Sequence, residues 1–106
     1  MLAELQRAII EGKYNITNHA DEELVKDALM FADVREALMR GEVTEDYPND
    51  FPYPSCLVFG MNAKNEPIHA VWVYATQKEI AVLVTAYRPD PRKWIDSKIR
   101  RKYEPD

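Results

Sequence analysis

At Gly41 the apolar residues of this chain stop recurring every three or four positions and begin to alternate, and that change of period constrains the fold more than any other feature. Upstream, Leu2, Leu5, Ala8 and Ile9 form one helical stripe over residues 1–12, with Gly12 as its stop. Residues 14–17 read as a short extended segment. A second helix is expected from His19 to about Met30, with Asn18 as N-cap and Ala20, Leu24, Val25 and Ala28 on its apolar side. A third opens with Asp33 as cap and Glu36 three residues on, and runs along Val34, Ala37 and Leu38 to Gly41.

Downstream, residues 43–47 read as a strand, and Pro48, Pro52 and Pro54 make the segment between it and Ser55 a loop. Residues 55–62 are β-like, and 62–66 carry turn chemistry. Residues 67–76 and 79–88 form the clearest pair, a hairpin turning at Gln77-Lys78. Pro89 and Pro91 end the sheet, and Pro91 can serve as the first residue of a last, basic helix. The expected architecture is α+β: N-terminal helices packed on a small antiparallel sheet, followed by a C-terminal basic helix. The strands carry apolar groups on both faces, since Ile80, Val82 and Val84 alternate with Ala81 and Leu83. The helices can cover one face, and a partly open, concave second face is where a ligand could lie.

At 106 residues, with 46% hydrophobic and 30% charged side chains, residues 1–106 read as one globular domain. The longest mainly apolar run, residues 80–86, is too short to span a bilayer, and residues 1–12 lack the basic start and apolar stretch of a secretion signal. A cytoplasmic location fits. Cys56 has no second cysteine to pair with, and one cysteine with two histidines argues against a structural zinc site. No cofactor or metal is expected, and Glu42, Glu45, Asp46 and Asp50 fit no calcium-loop spacing and read as solvated. The net charge of -4 disfavours nucleic acid as a partner, but it is uneven: residues 88–102 carry +5 and the remainder -9. His19, at the expected helix start, lies where free backbone N–H groups favour an anion.

An ordered set of short motifs carries a resemblance. His19-Ala20, Asp33-Val34-x-Glu36-Ala37-Leu38, Gly41-Glu42, Asp46-Tyr47-Pro48, Tyr53-Pro54 through Gly60, Pro67-Ile68-His69-Ala70-Val71 and Thr85-Ala86-Tyr87-x-Pro89-Asp90-x-x-x-Trp94 follow one another along residues 14–95. Together they resemble the domain-of-unknown-function family 4258. On this resemblance, residues 1–13 form an N-terminal helix, 14–95 the family core and 96–106 a basic tail. The resemblance implies a fold similar to the barnase–RelE group of toxins and ribonucleases, an RNA partner, and pairing with a small zinc-finger antitoxin. Relatives commonly carry arginine four and eight residues after the helix-start histidine, where this chain has Glu23 and Asp27.

The implied reaction is metal-independent: the ribose 2′-OH attacks the adjacent phosphate, which needs a proton acceptor, a proton donor and cations. The candidate catalytic residues are His19, Thr85, Tyr87 and His69, and the candidate RNA-binding residues are Arg88, Arg92 and Lys93. His19 can exchange protons near neutral pH, or simply sit bonded at a helix start. Thr85 and Tyr87 can bind a phosphate and stack a base, or serve only as good strand formers. Trp94 reads as packing the last helix onto the sheet, and Trp72 as core. A tight turn at Gln77-Lys78 sets Ile68 opposite Tyr87, His69 opposite Ala86 and Ala70 opposite Thr85, which puts His69 on the other face from Thr85 and Tyr87. A shift of one residue would join all three. The tight turn is the expectation, so His19, Thr85 and Tyr87 rank above His69. The alternative to a toxin-like ribonuclease is a non-catalytic protein-interaction module with the same fold, favoured by Glu23, Asp27 and the net charge.

Overall fold

Three helices lie on one face of a five-stranded sheet in the computed structural model, which describes residues 1–101. The elements are α1 (Leu2–Ile10), β1 (Tyr14–Ile16), α2 (Asn18–Lys26), α3 (Phe31–Met39), β2 (Glu42–Tyr47), β3 (Ser55–Met61), β4 (Pro67–Ala75), β5 (Ile80–Tyr87), β6 (Trp94–Ile95) and β7 (Ile99–Arg100). The α+β class and the change of character at Gly41 hold. Residues 102–106, the end of the expected basic tail, lie outside the described residues.

The strand order is β1-β5-β4-β3-β2. Four strands form the expected antiparallel meander, but β1 adds to the β5 edge in parallel, Ile16 opposite Leu83, so the sheet is mixed. Helix α1 ends as expected, because Gly12 takes φ +74° and lets Lys13 N–H reach the Ala8 carbonyl. Helix α2 starts one residue earlier than expected. Thr17, not Asn18, is the N-cap: its Oγ1 accepts from Ala20 N–H at 3.0 Å and donates to the Val84 carbonyl at 3.0 Å. The helix stops at Lys26 because Ala28 turns left-handed at φ 52°, with Leu29 N–H bonded to the Leu24 carbonyl. Helix α3 likewise starts at Phe31; Asp33 is its third residue and accepts the Met30 N–H at 2.8 Å.

The core lies between helices and sheet. Leu5, Leu24, Val34 and Leu38 meet Val58, Ile68, Trp72 and Leu83 from the strands, and each fully buried aliphatic chain contributes roughly 1.5–3 kcal/mol. Gly60 sets how closely α3 approaches: a Cβ there would stand 1.9 Å from the Ala37 carbonyl oxygen. The β3–β4 turn is organised by buried Asn62, whose Oδ1 accepts the N–H groups of Lys64 and Glu66 and whose Nδ2 donates to Asp33 and Glu66.

The largest departure follows β5. Residues 91–100 form no helix. The Asp90 carbonyl and carboxylate accept the N–H groups of Arg92, Lys93 and Trp94, giving a turn. The chain then forms a two-stranded hairpin, β6–β7, around Asp96 and Ser97, both at positive φ. Asp96, Ser97 and Lys98 make the turn between its strands, with Lys98 N–H bonded to the Ile95 carbonyl. The hairpin buries Trp94 to 3% exposure against the sheet face opposite the helices.

Candidate functional site

The second face of the sheet is built from alternate residues of each strand: Glu45 and Tyr47 on β2, Leu57 and Phe59 on β3, His69, Val71 and Val73 on β4, and Val82 on β5. Near the hairpin turn the register is the expected one, with Ala75 opposite Ile80 and Trp72 opposite Leu83. A bulge then slips one residue on β5, so that Val71 faces Thr85 and His69 faces Tyr87. The expectation that His69 and the Thr85–Tyr87 pair occupy different faces is therefore corrected. The sequence held a signal for this: Ala81, Leu83 and Ala86, the core-facing residues of β5, break step by three between the last two.

His69 lies at the centre of a closed cluster. Its Nδ1 is 3.3 Å from the Tyr87 hydroxyl, and its Nε2 contacts the Ser97 carbonyl. A carbonyl only accepts, so Nε2 carries the proton and Nδ1 accepts from Tyr87. The Trp94 ring stands edge-on at 4.3 Å between centroids, and Phe59 packs at 6.1 Å. The imidazole is 0% exposed. Burial depresses its pKa, partly opposed by the Ser97 carbonyl and Glu45, which favour the cation. Burial also raises the Tyr87 phenol.

The hairpin that seals this cluster is tied down by charge. Arg100 Nε donates to Glu45 at 2.9 Å and its guanidinium lies 4.6 Å over the Trp94 ring. Lys98 pairs with Glu42 at 3.0 Å and lies over Phe59. Burial and the hydrogen bond to Glu45 push the Tyr47 phenol up to about 12. Burial alone would raise Glu45, but Tyr47 and Arg100 outweigh it and leave that carboxylate low. Glu42 and Glu45, read from the sequence as solvated, are thus the anchors of the β6–β7 strap. Spacing could not show this, because their partners are more than fifty positions away.

The remaining candidates are dispersed. His19 is exposed as the second residue of α2, and among the described residues no hydrogen bond, ion pair or ring contact joins it to His69, Thr85 or Tyr87. Arg88 fastens β5 to the end of α2: its N–H donates to the Asp27 carboxylate at 2.7 Å and its Nε to the Asp27 carbonyl at 2.9 Å, while Glu66 lies 3.3 Å from the guanidinium. Asp27 is therefore the acceptor of this clamp. Arg92 forks onto Asp90, holding that carboxyl down at about 2. Lys93 is exposed, without an ion pair among the described residues. Cys56 is buried, and burial lifts its thiol to about 11, as an inert strand cysteine requires.

Beyond Val71 the same sheet face is open. A groove of ≈ 520 Å³ runs over Val71, Val73, Val82 and Val84, walled by Phe51 and Pro52 of the β2–β3 loop. Phe51 is 95% exposed. The concave, partly open second face anticipated from the strand pattern is this groove. Among the described residues no three histidine, cysteine, aspartate or glutamate side chains group as metal ligands, and no helix is long and apolar enough to cross a membrane.

Residues 16–88 match the model of a family described as Domain of unknown function (DUF4258). No curated protein and no solved structure matches the chain.

Proposed function

Because the chain belongs to the DUF4258 family, whose description names no activity, we propose its role from its own geometry: a non-catalytic binding module whose recognition surface is the groove on the second sheet face. One observation carries this reading. His69, the imidazole best connected to other polar side chains, is 0% exposed with both ring nitrogens engaged, while the neighbouring part of the same face stays open and apolar. RNA cleavage by 2′-OH attack needs an acid, a base and cations reaching one phosphate together. Here His19 stands apart from His69, and Arg88 and Arg92 already hold carboxylates. A groove of this size and apolar character is the usual form of a ligand site.

A second reading is supported by the bulge, which brings His69, Thr85 and Tyr87 to one face. It is a toxin-like ribonuclease of the barnase–RelE kind, paired with a zinc-finger antitoxin, in which the β6–β7 strap must lift before RNA can enter. The two readings part in one assay. Purified full-length protein is incubated with mixed RNA in EDTA beside His19→Ala, His69→Ala and Tyr87→Phe variants, and each is expressed in cells. The expected result is no cleavage at high protein concentration and no growth arrest. Cleavage that disappears in the variants would overturn the binding-module reading in favour of the nuclease.

A further inference from the structure

We propose that the groove takes an amphipathic alkyl carboxylate, its chain along the valines and its head at Lys78, an inference that deepens the binding-module reading by naming the ligand class. The lining decides between a hydrocarbon and a peptide. Val71, Val73, Val82 and Val84 form an apolar floor, with Phe51 and Pro52 alongside. The polar side chains of the lining are few: Asn15 on one flank, Asp50 and Ser55 on the other, Lys78 at the hairpin turn, with the tyrosine of the 50–53 loop. The Asp50 carboxylate already accepts from the Ser55 hydroxyl. A peptide laid over this floor would bury backbone N–H and C=O groups with almost nothing to receive them, each at a cost of about 1–3 kcal/mol. An alkyl chain carries no such groups and gains from every methylene it buries.

Charge fixes the direction. Lys78 is the cation of the lining, at the β4–β5 turn, and among the described residues it has no ion pair or side-chain hydrogen bond. Its neighbour Glu79 turns away to Lys13 at 3.8 Å. The anion of the lining, Asp50, lies on the long wall near Ser55 rather than at the turn. A carboxylate head is thus drawn to the Lys78 end and repelled from the wall, and the chain points toward Val71. From Ala75 to Val71 the strand covers about 13 Å, roughly the extended length of a ten-carbon chain.

Isotope-labelled full-length protein is titrated with decanoate, decanol and acetate while the methyl resonances of Val73 and Val82 are followed by NMR. The expected result is saturable one-to-one binding of decanoate at the groove methyls, weaker binding of decanol and none of acetate. Lys78→Glu should weaken decanoate about threefold to fivefold, the range of an exposed ion pair, and leave decanol unchanged. Phe51→Ser, at a side chain too exposed to matter for folding, should weaken both. Absence of saturable methyl shifts overturns the proposal, as do equal affinities for decanoate and decanol, or a Lys78→Glu variant that binds decanoate like the parent. Failure here leaves the non-catalytic reading standing, because the RNA assay judges that separately.

Discussion

Replacing Trp94 with alanine should lift the strap from the second sheet face and return His69 to water. Trp94 is 3% exposed and supplies the apolar anchor of a hairpin whose two strands are two residues each. Truncating a buried tryptophan costs about 3–5 kcal/mol in a closed core. The other ties are weaker: the Arg100 contact over the ring is lost with it, and the exposed pairs Lys98–Glu42 and Arg100–Glu45 are worth about 0–1 kcal/mol each. The main core lies on the other side of the sheet and does not include Trp94. The loss therefore falls on strap docking, while the helices and five-stranded sheet stay folded. The assay is a pH titration of the His69 ring by NMR, with hydrogen exchange at the strap amides. In the parent protein burial holds His69 neutral, with its pKa below the ordinary 6.5. Between that depressed value and 6.5 the unfolded chain binds more protons than the native one, so stability falls as pH falls through this window. In Trp94→Ala the pKa should rise back toward 6.5, the pH dependence should flatten, and strap amides should exchange freely. An unchanged His69 titration together with protected strap amides would refute the assignment of Trp94 as the anchor.

Three further outcomes follow from the core. Asn62→Ala removes the buried acceptor of the Lys64 and Glu66 N–H groups in the β3–β4 turn and should cost about 1–3 kcal/mol in urea denaturation. Gly60→Ala drives a methyl into the Ala37 carbonyl and should cost about 3 kcal/mol or more by thermal melting, because backbone rather than a flexible side chain must yield. Asp27→Ala should cost about 1–3 kcal/mol by the same measurement, since it removes the acceptor of the Arg88 N–H, and Asp27→Arg should destabilise at least as much.

What the sequence determined by itself was whatever depends on neighbours a few positions apart. The left-handed stop at Gly12, the proline loop, the turn at Asn62 and the β4–β5 pairing near Lys78 follow from local period and permitted φ and form where they were expected; three helices do precede Gly41, but α2 stops at Lys26 and leaves Val25, placed on its apolar side by the period, 80% exposed. Tertiary structure decided the rest. Thr17 rather than Asn18 caps α2 because the Val84 carbonyl on β5 gives its hydroxyl a second partner. The bulge near Thr85 changes which side chains meet without changing their order, so alternation alone left His69 on the wrong face. Residues 91–100 became a hairpin rather than a basic helix because Trp94 gains more by closing over His69, with Lys98 over Phe59 and Arg100 and Lys98 meeting the carboxylates of β2, than any helix confined to its own ten residues could offer. Long-range burial and charge pairing outweigh local propensity there, and the same contacts decide which half of the sheet face is sealed and which is left open.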